Sequence, residues 1–213
     1  MIKKILRNYG NLKILHGKYG KRLKRLEKEC EYIKLKIIKT KLKDAYLIEL
    51  EKLEDERGFF ARAWDKKIFE ENGLDTNLVQ SNISLSKKKG TLRGMHYQKY
   101  PYEETKLIRC TRGKIYNVII DLRPNSETYL KWEGIVLDEE KYILRYIPKG
   151  FANGIQTLEN NSEIFYQVSQ FYTPEAENGI RWDDPIFNID WPEKISVITK
   201  KDLSWANYEI KTK

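Results

Sequence analysis

The sequence predicts an all-β sandwich or barrel. Short runs of β-branched and aromatic residues recur along the chain, turn residues separate them at close intervals, and helical patterns are few. Composition agrees, with 14 Tyr, 7 Phe and 5 Trp, residue types that favour pleated, half-buried surfaces. At 213 residues and 40% hydrophobic, the chain has material for a real core in one or two domains.

The elements follow in order. Leu35–Thr40 and Ala45–Leu50 read as short strands split by polar residues, and Phe59–Trp64 reads as another. Lys66–Asn72, closed by Gly73, reads as a short helix with a glycine stop. Further strands are expected over Leu78–Ser84, Lys106–Cys110, Ile115–Leu122, Trp132–Leu137, Tyr142–Ile147 and Glu163–Phe171. Gly90, Gly94, Gly113, Gly150 and Gly154 read as turns or bends between them. The aromatic, irregular stretch from Trp182 to Trp205 reads as a tail folded back over the sheets. No linker or internal repeat divides residues 40–213, so one domain, 34–213, is expected behind an N-terminal extension, 1–33.

The net charge of +9 suggests a polyanion partner, but its distribution argues otherwise. Residues 1–33 hold ten Lys/Arg and three Glu, a net of +7, which leaves only +2 for residues 34–213. Within the extension, Leu23, Leu26, Cys30, Ile33 and Ile37 recur at three- and four-residue spacings among basic residues, an amphipathic helix pattern. It reads as a solvated helix on the domain, a gene-start artefact, or a surface anchor for acidic lipid, nucleic acid or a partner enzyme. No run reaches the ~18 apolar residues of a membrane span, and none has the pattern of a signal peptide. Two cysteines, Cys30 and Cys110, make no disulfide framework, so a reducing cytoplasm is expected. With only His16 and His96 available, sites built from two or three histidine ligands are nearly excluded.

Chemistry centres on Thr91-Leu92-Arg93-Gly94-Met95-His96-Tyr97-Gln98. Residues three apart on a strand face opposite sides, but a bulge at Gly94 could turn Arg93 and His96 into one cavity. By itself, a lone histidine among apolar neighbours is more often a hydrogen-bonded core residue than a base. Arg57, Arg93, Lys106 and Lys201 would supply charge for a diphosphate if they converge. Tyr166 and Tyr172, six apart on one expected strand, would share a face and offer a phenol or a stacking surface.

From about Lys34 to Trp205 the chain resembles the dTDP-4-dehydrorhamnose 3,5-epimerase family, sugar-nucleotide epimerases with a cupin-type jelly-roll fold. The resemblance rests on an ordered set of segments: Asp55-Glu56-Arg57-Gly58-Phe59-Phe60, Val79-Gln80-Ser81-Asn82, Leu92 to Gln98, Lys106 to Cys110 and Val118 to Arg123. It continues through Ile147-Pro148-Lys149-Gly150-Phe151-Ala152, Phe165-Tyr166, Tyr172-Thr173-Pro174, Trp182-Asp183-Asp184-Pro185, Ile189-Asp190-Trp191-Pro192 and Lys201-Asp202.

The resemblance implies a nucleoside-diphosphate 4-keto-6-deoxyhexose substrate, whose ketone acidifies the hydrogens on C3 and C5. It implies neither cofactor nor metal, which agrees with the histidine count and the absence of a Gly-rich dinucleotide fingerprint. His96 matches the base, Asp202 its orienting carboxylate, Tyr166 the acid on the far face, and Lys106 the cation beside the C4 oxygen. Arg57, Phe60, Gln80, Asn82, Arg93, Asn153, Tyr172, Glu177 and Lys201 match substrate-contacting positions. A homodimer is implied, and a nucleic-acid partner is not. Two residues depart from the family pattern: Asn153 stands where histidine is usual, and Arg62 where glutamate is frequent. Both suggest a different nucleotide sugar or inversion of a single carbon. The alternatives are a cupin-type 3,4-ketoisomerase and a non-catalytic nucleotide-sugar-binding protein.

Overall fold

The computed structural model describes residues 35–210, so the basic extension, 1–33, lies outside the described residues. The all-β expectation holds, with strands β1 (Leu35–Lys39), β2 (Tyr46–Leu50), β3 (Lys52–Asp55), β4 (Gly58–Ala61), β5 (Gln80–Ser86), β6 (Leu92–Gln98) and β7 (Lys106–Arg112). They are followed by β8 (Lys114–Asp121), β9 (Trp132–Asp138), β10 (Leu144–Ile147), β11 (Phe151–Thr157), β12 (Ser162–Val168) and β13 (Glu177–Gly179). Among the described residues there are also two short helices, α1 (Lys66–Glu71) and α2 (Lys200–Leu203), and a 3-10 turn at Pro174–Ala176. No helix among the described residues is long and apolar enough to cross a membrane.

The chain divides into two compact units, one of which contains residues 51–63. There β3 and β4 form a hairpin with Asp55 opposite Gly58. Gly58, at φ +124, takes a backbone conformation that a side chain resists. The Asp55 carboxylate accepts from the Arg57 amide at 2.9 Å and pairs with its guanidinium, closing the turn.

The other unit holds the two larger sheets. One runs in the order β1-β2-β10-β7-β12-β5, the other β13-β6-β11-β8-β9. Ile108, Cys110, Ile115, Ile119, Leu137, Ile147, Phe151, Ile155 and Ile164 form one buried cluster. Each such side chain contributes about 1.5–3 kcal/mol relative to exposure. Ile115 and Ile119 occupy one face of β8, while Val118 and Ile120 occupy the other. A second cluster forms on that other face, where Met95, Val118, Ile120 and Ala152 meet Ile180, Phe187, Ile189, Trp191 and Tyr208. The aromatic tail therefore does fold back on a sheet. Trp132 Nε1 donates to Phe187 O at 2.7 Å, and Trp191 Nε1 to Trp182 O at 2.9 Å, fixing its path.

Helix α1 matches its expected span. Asp65 caps it by accepting from the Lys67 and Ile68 amides at 3.0 and 3.2 Å, and Gly73 follows at φ +68. Two expectations need correcting. The strand expected over Glu163–Phe171 ends at Val168, so Tyr172 does not share a strand with Tyr166. Ser169 Oγ accepts from the Thr105 amide at 2.8 Å, and Pro174 soon opens the 3-10 turn. Gly94 and Gly154, expected at turns, lie inside β6 and β11. A Cβ on Gly94 would stand 2.6 Å from Gly154 Cα, so glycine here permits close approach of paired strands.

Candidate active site

A cavity of about 300 Å³ lies among residues of both sheets. Arg93 and His96 of β6 and Asn153 and Ile155 of β11 line it from the five-stranded sheet. Ser84 of β5, Lys106 and Ile108 of β7, and Ile164 and Tyr166 of β12 line it from the six-stranded sheet. Glu177, Thr199, Lys201 and Asp202 complete the lining. A wider groove of about 1150 Å³ near Tyr100, Arg123 and Tyr208 contains no histidine.

The bulge suggested by the sequence explains how β6 contributes two polar side chains three residues apart. Opposite β11, Asn153 pairs with His96 and Ile155 with Arg93, so three steps on β6 face two on β11. That single-residue slip turns Arg93 and His96 into the same cavity. Gly94, at φ +136, supplies the backbone conformation.

His96 Nε2 lies 2.7 Å from Asp202 Oδ1, joining residues 106 positions apart. Asp202 is 3% exposed. Burial pushes its carboxyl up, but the hydrogen bond and charge of His96, Thr199 and the Gly94 backbone outweigh burial and hold it below the usual range. An ionised carboxylate only accepts, so the Nε2 that faces it carries a proton, and Nδ1 is the ring nitrogen that can take or release one. Helix α2 presents Asp202 because Thr199 caps it, accepting from the Asp202 amide at 3.1 Å. Thr199-Lys200-Lys201-Asp202 has the Thr-x-x-acid spacing of a capping box, a signal that sequence reading passed over.

Tyr166 faces the cavity from the opposite sheet, paired with Asn82 and Ile108. Burial, then the Glu104 charge, push its phenol above the usual value, with Arg93 offsetting part. Lys106 pairs with Glu104 at 2.8 Å, and the two side chains are only 13% and 11% exposed. Glu104 was not read from the sequence, although its i, i+2 spacing from Lys106 in an extended segment places both on one side. Arg93 Nε donates to Ser86 Oγ at 3.1 Å, tying β6 to β5.

At the cavity edge Glu177 Oε2 accepts from Tyr172 Oη and Lys201 Nζ, both at 2.5 Å. Burial raises the Glu177 carboxyl, but Lys201 and Tyr172 lower it further, to a net value below the ordinary range. Exposed pairs of this kind contribute ~1 kcal/mol or less, so the arrangement matters for position more than for stability. Tyr172 is 56% exposed, in the loop beyond β12. Its amide donates to Gln80 Oε1 at 3.1 Å. Gln80 and Asn82 share the Ser84 face of β5 without lining the cavity itself. Arg57 and Phe60 are exposed and belong to the hairpin, not to the unit that holds the cavity. Among the described residues, no group of three His, Cys, Asp or Glu is arranged to hold a metal ion.

Comparison with known proteins agrees with the ordered motifs. The family model described as dTDP-4-dehydrorhamnose 3,5-epimerase matches residues 39–209. A dTDP-4-dehydrorhamnose 3,5-epimerase of Methanothermobacter thermautotrophicus is 42% identical over 173 residues, 80% of this chain and 92% of that protein. The crystal structure of the enzyme of that name from Elizabethkingia anophelis superposes with a TM-score of 0.79 at 38% identity, covering 82% of this chain and 96% of the other. The Legionella pneumophila dTDP-6-deoxy-D-glucose-3,5-epimerase, solved with dTDP-4-keto-L-rhamnose, gives 0.76 at 36% identity, covering 82% and 93%. Matches of this extent and identity show that the chain belongs to the dTDP-4-dehydrorhamnose 3,5-epimerase family.

Proposed function

We propose that this protein epimerises a nucleoside-diphosphate 4-keto-6-deoxyhexose, dTDP-linked in the first instance, inverting C3, C5 or both through an enolate. The observation that carries the reading is the His96–Asp202 pair at 2.7 Å in one cavity with Tyr166 on the facing sheet. His96 Nδ1 takes the proton next to the ketone. Imidazole suits this, because its ordinary pKa near ~6.5 leaves the neutral form available at pH 7. The Asp202 carboxylate holds the ring and stabilises the imidazolium as the proton arrives.

As the C–H bond breaks, its electron pair moves into the C3–C4 or C4–C5 bond and charge builds on the C4 oxygen. Lys106 is the cation for that oxygen; in a dry site one such donor contributes ~3–4 kcal/mol. Tyr166 then returns a proton to the other face of the same carbon. Its raised pKa keeps the phenol protonated until a basic enolate carbon takes the proton. Arg93 and Lys201 suit a diphosphate, and Tyr172 offers a stacking face for the base.

Assembly as a homodimer belongs to this reading, because the family resemblance implies it, and sedimentation of the full chain tests it. A cytoplasmic location also belongs to it, on two cysteines of which Cys110 is a buried free thiol. The decisive experiment incubates the protein with dTDP-, CDP- and GDP-linked 4-keto sugars in deuterated water and locates deuterium by NMR. Incorporation at C3 or C5 with inversion is expected. Movement of the carbonyl to C3 would instead indicate the ketoisomerase, and no incorporation from any of them would remove the enzymatic reading.

A further inference from the structure

Behind the cavity, a polar chain with two fully buried members, Arg145 and Asn117, links the sheets. Arg145 of β10 is 0% exposed. Burial lowers its pKa to about 10, Glu133 offsets part of that shift, and the guanidinium remains charged at pH 7. Its Nη2 donates to Glu133 Oε2 at 3.0 Å, and its Nη1 to Asn117 O and Oδ1 at 2.7 and 3.3 Å. Asn117 Nδ2 in turn donates to Gly154 O at 3.0 Å and to Asn153 Oδ1 at 2.7 Å.

The direction of each bond follows from chemistry. A guanidinium only donates, so it requires the oxygen of Asn117. A backbone carbonyl only accepts, so Gly154 requires the nitrogen. With Asn117 held at both ends, the Asn153 atom facing its Nδ2 must accept, and that atom is Oδ1. The Asn153 NH2 is therefore the end left over. No described residue accepts from it, and Asn153 lines the cavity paired with His96 in the ladder.

We infer that Asn117 and Arg145 are positioning residues that lock the Asn153 carboxamide with its NH2 toward the cavity, presenting a neutral, permanent hydrogen-bond donor to a carbonyl, enolate or hydroxyl oxygen of the sugar. This rests on the cavity being the epimerisation site. It differs from a histidine at position 153 in a definite way. A carboxamide cannot lose its donor by titration, and here it cannot rotate to offer its oxygen without breaking the bond from Asn117.

The test inverts the polarity from behind. In Asn117→Asp the new carboxylate only accepts, so the Asn153 amide turns over and its oxygen faces the sugar. Side-chain NH2 resonances of Asn153, assigned by their absence in Asn153→Asp, report this in the free protein. They are expected to move downfield and exchange more slowly with solvent in Asn117→Asp than in the parent. The same shift and exchange in both proteins overturns the inference, whatever the activity. If Asn117→Asp does not fold, the neutral Asn153→Ala serves, because it loses the donor without the negative charge that Asn153→Asp would add to the cavity. The kcat of Asn153→Ala is expected to fall tenfold or more with KM changed less than threefold, and any smaller loss of kcat overturns the inference. Absence of deuterium incorporation by the parent protein would instead remove the epimerase reading and leave the amide orientation standing.

Discussion

His96 and Tyr166 reach the cavity from different sheets, so substitutions at the two positions separate removal of a proton from its return. His96→Ala is expected to abolish exchange of the C3 and C5 hydrogens with deuterated water while circular dichroism stays unchanged. Exchange at the parental rate would remove His96 as the base. Tyr166→Phe is expected to keep exchange, because deprotonation survives, and to lose full inversion, because donation from the far face is gone. An unchanged epimer yield would count against the two-face scheme. Asn153 can only donate or accept a hydrogen bond, so its contribution is geometric and depends on Asn117 behind it.

At the scale of elements, the site depends on how β6 lies against β11. Gly94 combines a φ of +136 with a backbone neighbour, Gly154 Cα, at 2.6 Å from any added Cβ. Gly94→Ala is therefore expected to destabilise the fold by about 1–3 kcal/mol from local strain alone. It should also lower turnover by shifting Arg93 and His96 relative to β12. Urea denaturation monitored by tryptophan fluorescence checks the first expectation, and a parental midpoint with an unchanged slope would rule out the close approach. Helix α2 works differently: four residues capped by Thr199 suffice to deliver Asp202, because the partner they must meet is a single imidazole nitrogen.

For the whole molecule, pH dependence follows from buried carboxylates held below their ordinary values. At Asp202 burial raises the pKa, and His96, Thr199 and the Gly94 backbone more than reverse it. At Asp121 burial again raises it, and Arg123, Ser126 and Thr128 more than reverse it. Groups with depressed folded pKa values stabilise above their unfolded pKa, near ~3.9, and lose that contribution as pH falls through the folded value. Unfolding free energy should therefore decline below about pH 4, and Asp121→Asn should be less stable than the parent at pH 7 with a shallower acid slope. Equal slopes would show that Asp121 does not contribute. Charge makes a second whole-chain prediction. Residues 1–33 carry ten basic and three acidic side chains, a net of +7, outside the matched span 39–209. Deleting them is expected to leave deuterium incorporation within twofold of the full chain, and a larger loss would assign them a part in catalysis.

Local patterning alone determined the all-β class, helix α1 between Asp65 and Gly73, and the ordered motifs that carry family membership, because each depends on residues adjacent in the chain. Strand β11, which holds Asn153, was hidden, and β6, which holds His96, was legible only as a strand with a possible bulge, for a physical reason. A glycine within a short run reads as a turn, whereas Gly94 and Gly154 are small so that two strands can touch. The Lys106–Glu104 pair, the slip that turns Arg93 and His96 together, and the amide orientation set by Arg145 through Asn117 all depend on atoms from separate strands or loops. Tertiary structure decided these, because a hydrogen bond's direction is set by the partner across the sheet and not by the neighbour along the chain.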